Sequence, residues 1–409
     1  MPAPAPPRHA ELPTLVVACA LALAAAVSLG LARFSYALLL PPMRADLGWN
    51  YLTAGAMNTV NAAGYLVGAL FTPAWLRRYG ARRVLLGGGV ACGMLLVAHG
   101  MAAGDATLYL LRALTGVASA ATFVSGGLLA ARLAARAPGT ANGPRAEPSA
   151  GLVLGVYYGG TGVGIVISAL LVPPTTGLPG AHAWQWAWMA LGGAAVTATA
   201  ITALATRRLD PAAAGKTTHG SFAWSHFGCG LVSYFLFGLG YIGYMTFVVT
   251  LLREQRLNST SITVFYGLLG LAVIGSSWLW AGLLQRQRGG GALRLLNGLL
   301  TVATLLPVLS AHPLAVYSSG LLFGGVFLSV VASTTALVRH NLPPAAWSAG
   351  ISAFTIVFAA GQIIGPTLVG WVADGAGGLR GGLAVSATVL ALAALIASGQ
   401  KPLGATAPR

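Results

Sequence analysis

The sequence predicts an all-α membrane protein whose twelve transmembrane helices form two six-helix pseudo-repeats. The prediction depends on the composition, on the spacing of long apolar stretches and on where the positive charges lie. Of the 409 residues, 56% are hydrophobic and only 7% are charged, whereas soluble domains carry roughly 25% charged residues. Because so few charges cannot cover a water-soluble surface, we expect most of the surface to face lipid.

Apolar stretches of about 20 residues, the length that spans a bilayer, occur twelve times. The first set of predicted helices covers residues 14–40, 50–72, 82–103, 107–134, 149–172 and 184–206. The second set covers residues 227–251, 260–284, 292–310, 313–337, 346–371 and 380–399. The first stretch is too long for a signal-peptide core, so we interpret it as an uncleaved helix. We predict an N-terminal bundle over 1–206, a cytoplasmic linker over 207–221 and a C-terminal bundle over 222–409.

Positive charge is concentrated in alternate loops. Seventeen of the 23 Lys and Arg residues lie on the same side as the N-terminus, four lie on the opposite side, and Arg33 and Arg112 fall within predicted helices. Positive residues mark the cytoplasmic side of a membrane protein. We therefore predict a multi-pass protein of the bacterial cytoplasmic membrane with both termini in the cytoplasm. This placement accounts for the net charge of +16, so a nucleic-acid partner is not expected.

Short patterns from the first half recur in the second half at offsets of 208 or 211 residues. The recurring pairs are Arg77 and Arg288, Gly80 and Gly291, Arg83 and Arg294, Tyr36 and Tyr244, Tyr109 and Tyr317, and Gly116 and Gly324. Each match alone is weak, but nearly equal offsets between corresponding helices indicate a duplicated six-helix unit. Arg33 and Arg112 correspond to Tyr241 and Gly320. Their charge thus belongs to the first half alone, which favours a functional role over a scaffold role.

Several motifs resemble those of the major facilitator superfamily. The matching stretches are 73–83 (with Arg78, Gly80, Arg82 and Arg83), 112–116, the glycine-rich 151–164 and 361–366. The segment 30–36, Gly-Leu-Ala-Arg-Phe-Ser-Tyr, is followed by Leu-Leu-Pro-Pro-Met at 39–43 and Asp-Leu-Gly at 46–48. Together these resemble the YbfB/YjiJ-type subfamily. The resemblance implies the major facilitator fold, with a small solute bound between two halves that move by alternating access.

The same resemblance implies a gate formed by the cytoplasmic loops. The residues predicted for this gate are Gly80, Arg77, Arg83, Arg288 and Arg294. Two positions depart from the family motif: Pro73 stands where the motif opens with glycine, and Arg77 stands where it carries an aspartate. In the family that aspartate often pairs with basic groups, so how the gate closes here stays open.

Arg33 and Arg112 are the leading candidates for substrate binding or coupling. Ionisable groups inside the membrane cost about 2.5–3.5 kcal/mol on insertion scales and generally mark function. In the alternative interpretation, each arginine extends outward or binds backbone carbonyls. With helix 1 ending at residue 40, Arg33 lies about 10 Å inside the predicted outer boundary. No carboxylate or histidine is expected at mid-membrane, so two unpaired cations facing a wet cavity predict a small organic anion as substrate.

Further polar and aromatic side chains complete the predicted site. They are Tyr36, Asn58, Asn61, Tyr241, Tyr244 and Gln362. The two asparagines could equally join helices by hydrogen bonds, and the aromatic stripe of helix 7 could equally be packing. Gln362 could also satisfy a carbonyl freed by Pro366 in helix 11.

The predicted activity is secondary active transport rather than catalysis. The sequence offers no nucleotide-binding loop or metal-ligand spacing, so no cofactor and no metal are expected. The expected partners are a small-molecule substrate and the lipid bilayer, and the chain is predicted to act as a monomer. Protons are a candidate coupling ion, with Asp374, Asp46 and Glu254 as candidate carriers. Asp46 and Glu254 lie close in sequence to Arg44 and Arg253, and each of the three acids is more often a surface ion-pair or helix-end residue than a proton carrier. The alternatives are proton-coupled efflux of amphipathic drug-like compounds and a transporter-derived membrane sensor.

Overall fold

A computed structural model describes residues 13–136, 149–207, 209 and 222–403, and within these ranges the chain forms twelve long helices. Those of the N-terminal half are α1 (Thr14–Leu47), α2 (Tyr51–Tyr79), α3 (Ala81–His99), α4 (Asp105–Arg136), α5 (Ala150–Thr176) and α6 (Trp184–Ala205). Those of the C-terminal half are α7 (Gly228–Glu254), α8 (Ser259–Leu279), α9 (Gly291–Leu309), α10 (Pro313–Asn341), α11 (Trp347–Ala373) and α12 (Gly378–Ala397). In the part described, every one of these except α2 is long and apolar enough to cross a membrane. The predicted fold class is confirmed.

Several helix ends differ from the predicted ones. α1 passes through Pro41 and Pro42 to Leu47, and α2 passes through Pro73 to Tyr79. Prolines are tolerated inside transmembrane helices because neighbouring groups satisfy the freed carbonyls, so these prolines do not end the helices. The predicted loop after helix 2 shrinks to Gly80, whose φ of +80° favours glycine. Apart from residues 207 and 209, the predicted linker lies outside the described residues, and the domain boundaries stay predictions.

α1 contains a π-helical segment, Ala26–Phe34, which carries Arg33 near its end. Just beyond it, the N–H of Ser35 donates to the carbonyl of Gly30, five residues back, at 3.0 Å. The backbone of this segment touches α5, because a Cβ at Gly30 would lie only 2.4 Å from the Cα of Gly164. Single-turn π-bulges are often found at functional sites. Here the segment is nine residues long and ends beside the leading candidate residue.

Corresponding glycines make corresponding contacts in the two halves. A Cβ at Gly116 of α4 would lie 2.2 Å from the carbonyl oxygen of Asn61 in α2. A Cβ at Gly324 of α10 would lie 2.2 Å from the carbonyl oxygen of Leu269 in α8. Gly324 and Leu269 lie 208 positions after Gly116 and Asn61, which is the offset seen in the sequence. Small residues let transmembrane helix backbones approach this closely, so the repeat is visible in the packing.

We expect Gly324→Ala to destabilise the protein, because the new methyl group would overlap a backbone carbonyl that cannot rotate away. Overpacking of this kind costs about 1–3 kcal/mol and should lower the Tm of the detergent-purified protein. The neighbouring Gly325→Ala is the matched control, since a Cβ there would meet nothing within 4 Å. Equal Tm values for the two variants would contradict the close contact between α8 and α10.

The halves meet most closely at the predicted outer end, which is the end where α1 leads into α2 and α7 leads into α8. Among the described residues, every hydrogen bond between the halves lies at the level of Arg33 or nearer to this end. They join Arg33 to Gln362, Tyr266 to the carbonyl of Phe34, Tyr51 and Leu52 to Asp374, Tyr51 to Glu254, Asn58 to Thr246, and Thr59 to the residue-363 carbonyl and Thr367. The bundle is therefore closed at the predicted outer end.

The predicted gate residues lie at the opposite end. Arg77, Arg83, Arg288 and Arg294 are all exposed. In the part of the chain that the structure describes, none of them forms an ion pair; the ion pair found there joins His182 to Asp46. A gating role for these arginines stays a prediction, because no ion pair between described residues joins the halves at their end.

Candidate functional site

Arg33 lies at the interface between the two halves. Its Nη2 donates to Oε1 of Gln362 in α11 at 2.8 Å, and the amide nitrogen of Gln362 donates to the hydroxyl of Tyr241 in α7. All three side chains are buried. Arg33 and Tyr241, which correspond to each other in the sequence repeat, therefore share one amide group. Gln362 uses its amide in this way, rather than in the predicted role beside Pro366.

Arg33 is also deeper than expected. Because α1 continues to Leu47, fourteen residues and about 21 Å separate Arg33 from the outer end of its helix, not the 10 Å inferred from an end at residue 40. Half of a bilayer core of about 30 Å is about 15 Å. Counted from Arg44, the first charged residue after the apolar stretch, the separation is still about 17 Å, so Arg33 lies near the middle of the predicted span.

The charge of Arg33 has no carboxylate partner among the described residues. Gln362 is neutral, and Nε of Arg33 is buried without a hydrogen-bond partner. The guanidinium carbon lies 5.5 Å from the centroid of the Tyr65 ring, within cation–π range. A full positive charge with unused hydrogen-bonding capacity thus stands between the halves, where the electrostatics favour an anion.

Aromatic rings line the C-terminal side of this site. Phe237 and Tyr241 stack along α7 with centroids 4.7 Å apart, and Phe358 of α11 stacks 5.7 Å from Tyr241. Tyr234 continues the stack at 4.8 Å from Phe358. Phe358 and Tyr65 remain partly exposed, so the accessible surface beside Arg33 is aromatic. The helix-7 stripe therefore both packs against α11 and forms a wall of the candidate site.

Arg112, by contrast, is enclosed within the N-terminal half. Its Nη1 donates to the carbonyl of Ala32 at 3.0 Å and its Nη2 to Oδ1 of Asn58 at 3.2 Å. The guanidinium carbon lies 4.8 Å from the centroid of Tyr36. These partners belong to α1 and α2, and Arg112 is only 1% exposed. Like Arg33, it has no carboxylate partner among the described residues and a buried Nε without a hydrogen bond, but it faces the packed interior rather than a wet cavity, which matches the backbone-binding alternative.

The residues that bind Arg112 lie beside Arg33, although the guanidinium of Arg112 does not reach the interface between the halves. Ala32 directly precedes Arg33, so the hydrogen bond from Arg112 holds the backbone beside it. Asn58 in turn donates through Nδ2 to Oγ1 of Thr246 in α7 at 2.7 Å, and Asn61 donates to the carbonyl of Arg112 at 3.0 Å. Arg112 therefore contacts both the backbone beside Arg33 and the asparagine that joins the two halves.

The two remaining predicted residues lie inside their own halves. The hydroxyl of Tyr36 donates to the carbonyl of Ala54 at 2.9 Å. The hydroxyl of Tyr244 hydrogen-bonds to Oγ of Ser319 at 2.6 Å, and its ring stacks on Phe323 at 3.9 Å. Both tyrosines are fully buried. The structure thus gathers Arg33, Tyr241 and Gln362 at one point and leaves these two in the packed interior.

Sequence reasoning overlooked His99 and Trp188. His99 is the last residue of α3, at its predicted outer end, and is fully buried. Its ring stacks on Trp188 with centroids 4.5 Å apart, and Trp188 also lies 5.8 Å from the guanidinium carbon of Arg112. The available signal was the position of His99 within the predicted span 82–103. The two residues form a layer behind Arg112, away from the interface.

Two carboxylates at the predicted outer end connect the halves. Asp374, which follows α11, accepts hydrogen bonds from the backbone N–H groups of Tyr51 and Leu52 at 2.8 and 2.9 Å. These groups begin α2, where the helix dipole favours a negative charge. Glu254, at the end of α7, accepts a hydrogen bond from the Tyr51 hydroxyl. We call this group of Tyr51, Leu52, Glu254 and Asp374 the outer latch.

Asp46, the third candidate for coupling, stays within the N-terminal half. It contacts Nδ1 of His182 and accepts a hydrogen bond from Nε1 of Trp184, both at 2.5 Å. The sequence neighbours suggested an ion pair with Arg44, but the guanidinium of Arg44 lies 3.8 Å from the centroid of Tyr51 instead. Of the three carboxylates, only Asp374 and Glu254 are therefore placed to respond when the halves separate.

A family model described as "Uncharacterised MFS-type transporter YbfB" matches residues 25–398. Among curated proteins, none matches the sequence. A solved structure of a bacterial homolog of the human lysosomal transporter Spinster, in an inward-facing and unoccupied conformation, has a TM-score of 0.71 at 15% identity, covering 95% of this chain and 97% of that one. The crystal structure of the nucleoside transporter NupG has a TM-score of 0.68 at 13% identity, covering 94% of this chain and 98% of that one. At such identities the likeness concerns the fold.

Proposed function

The chain belongs to the MFS-type transporter family of YbfB, and we propose that it carries a small organic anion across the bacterial cytoplasmic membrane by alternating access. One observation supports this choice of substrate above the others. Arg33 is buried at mid-membrane between the halves, and its partner there is the neutral amide of Gln362 rather than a carboxylate. A substrate anion would supply the missing negative charge.

An anion is well suited to replace Gln362. Carboxylate and sulfonate groups accept charge-assisted hydrogen bonds from a guanidinium, and these are about twice as strong as bonds between neutral groups. Nε of Arg33, now without a partner, could form the second bond of a bidentate pair. The rings of Tyr241, Phe358 and Tyr65 beside it favour a substrate with a planar apolar body.

The same replacement would link binding to movement. Arg33 belongs to α1 and Gln362 to α11, so their hydrogen bond joins the two halves. An anion that takes over Arg33 removes this bond and frees Gln362 and Tyr241 to move with the C-terminal half. A ligand shifts a conformational equilibrium through such differential contacts. In alternating access, a bundle closed at its outer end exchanges substrate with the predicted cytoplasmic side.

Protons are our proposed coupling ion, and the outer latch is their proposed site. Protonation would remove the charge with which Asp374 binds the start of α2 and would weaken the contact between Glu254 and Tyr51. Both carboxylates are exposed and lie at the predicted outer end. Proton binding from outside would therefore release the latch and favour the outward-open state. We also propose that the protein acts as a monomer and that both of its termini lie in the cytoplasm.

The aromatic wall also motivates a second candidate, proton-coupled efflux of amphipathic drug-like compounds. Stacked rings such as Phe237, Tyr241 and Phe358 accept apolar bodies of many shapes. The uncompensated charge of Arg33 disfavours cationic members of that class. A transporter-derived sensor would have the same binding site and would differ only in producing no flux.

Thermal unfolding with a panel of organic anions, cations and neutral solutes tests the proposed substrate class. A ligand at about 100 times its Kd stabilises the folded state by about 2.7 kcal/mol, so we expect aromatic carboxylates or sulfonates to raise the Tm. Flux of the stabilising compound across the membrane of proteoliposomes that contain the protein then separates a transporter from a sensor. Stabilisation by lipophilic cations alone would refute the anion proposal in favour of cation efflux.

A further inference from the structure

A membrane-facing groove of about 700 Å³ lies between α2, α3 and α4, away from Arg33. Its lining is almost entirely apolar, apart from Arg83 at one end. Met94 and Leu114, at the other end, are 65% and 43% exposed. Large apolar side chains exposed within transmembrane helices face lipid. The groove is therefore open to the bilayer rather than to the space between the halves.

The groove exists because glycines of α3 leave side-chain space empty, while the helices around it remain in contact. A Cβ at Gly88 would lie 2.6 Å from Oγ1 of Thr122, so α3 and α4 touch there. The adjacent Gly87 points to open space, because a Cβ at that position would meet nothing within 4 Å. The groove is thus a fixed depression in a packed surface, which an ordered hydrocarbon chain can fill.

The length of the groove corresponds to one leaflet. Eleven residues separate Arg83 from Met94 along α3, which is about 17 Å by the helical rise, and half of a bilayer core is about 15 Å. Trp75 and Tyr79 lie beside Arg83, and aromatic and basic residues of this kind collect at the headgroup level. The charge distribution of the sequence assigns this end to the cytoplasmic leaflet.

Arg83 is free to bind an anion at the headgroup level. Its neighbour Arg82 donates through Nη2 to the carbonyl of Ala203 at 3.0 Å, whereas Arg83 is exposed and forms no ion pair within the described residues. Arg77 and Arg78 are also exposed nearby in the chain. Clusters of basic residues at the cytoplasmic surface attract anionic lipids.

We propose that this groove binds an anionic phospholipid of the cytoplasmic leaflet. One acyl chain lies along Gly87 toward Met94 and Leu114, and the phosphate contacts Arg83. The apolar lining accounts for the acyl chain, and the charge of Arg83 accounts for preference among headgroups. The site is independent of Arg33 and of the substrate proposed above.

Native mass spectrometry of the purified chain, titrated with phosphatidylglycerol or phosphatidylcholine of identical acyl chains, tests this site. We expect one phosphatidylglycerol to be retained about fivefold more tightly than phosphatidylcholine, the preference that one basic residue near the surface provides. Arg83→Gln should remove the preference, and Gly87→Leu should weaken both lipids by filling the groove. Gly193→Leu, at an exposed glycine of α6 with open space around it, should change neither.

Two results would overturn the proposal. Unchanged phosphatidylglycerol retention in both Arg83→Gln and Gly87→Leu would show that neither the charge nor the groove holds the lipid. Displacement of phosphatidylglycerol by soluble glycerol phosphate would assign the site to a free phosphate instead of a membrane lipid. Because Arg83 is exposed, Arg83→Gln should fold normally and keeps the test decisive even if Gly87→Leu does not fold.

Discussion

Arg33→Gln should abolish anion-dependent stabilisation and reduce transport at least tenfold while the protein stays folded. A charge-assisted hydrogen bond contributes about 1.5–3 kcal/mol, and about 1.4 kcal/mol corresponds to a factor of ten in affinity. The fold should persist because the substitution removes an uncompensated buried charge and leaves no carboxylate unpaired. The measurements are the Tm with and without the anion identified in the solute panel, and uptake into proteoliposomes.

Two other arginines make the test specific. Arg112→Gln should act on stability, lowering it by about 1–3 kcal/mol, because it deprives the buried carbonyl of Ala32 and the side chain of Asn58 of a donor. Arg44→Gln removes a charge of the same kind from the predicted outer end, where it stacks on Tyr51, and should leave anion binding unchanged. Anion binding that survives Arg33→Gln but is lost with Arg112→Gln would reverse the roles assigned here.

The different surroundings of Arg33 and Arg112 show what the sequence can predict and what it cannot. Each was recognisable as an intramembrane cation, since helix length and apolar composition define the spans. The direction in which each side chain points depends on packing between helices far apart in the chain. Gln362, which binds Arg33, lies 329 residues away from it. The π-helical segment that carries Arg33 has no distinct sequence signal among the rules of helix periodicity.

The contacts of the acidic residues at the predicted outer end could not be predicted from their sequence neighbours either. Asp46 and Glu254 each have an arginine close by in sequence, which suggested local ion pairs. In the structure, Asp46 binds His182 and Trp184, and Glu254 binds Tyr51. By contrast, the contact between Gly116 and Asn61 and its repeat at position 324 follow from small residues at a constant offset. Patterns repeated along a chain were predictable, and single polar contacts across the bundle were not.

Asp374→Asn should shift the protein toward the outward-open state, raising its population at least about tenfold. The substitution replaces the carboxylate that accepts two backbone hydrogen bonds at the start of α2 with a neutral amide. Such charge-assisted bonds contribute about 1.5–3 kcal/mol, and the dipole of α2 adds about 0.3–1 kcal/mol at its first turn. Pulsed electron paramagnetic resonance between spin labels at the exposed residues Ala106 and Ala376, one in each half, measures the opening directly.

Asp46→Asn is the matched control for this experiment. It removes the same charge at the same end of the bundle, but its partners His182 and Trp184 both lie in the N-terminal half, so the label distance should not change. If Asp46→Asn opened the outer end as much as Asp374→Asn, surface charge rather than the outer latch would control the equilibrium. If neither variant changed the distance, the outer latch would not control the equilibrium between the closed and open outer end, and a coupling ion would have to act elsewhere in the bundle.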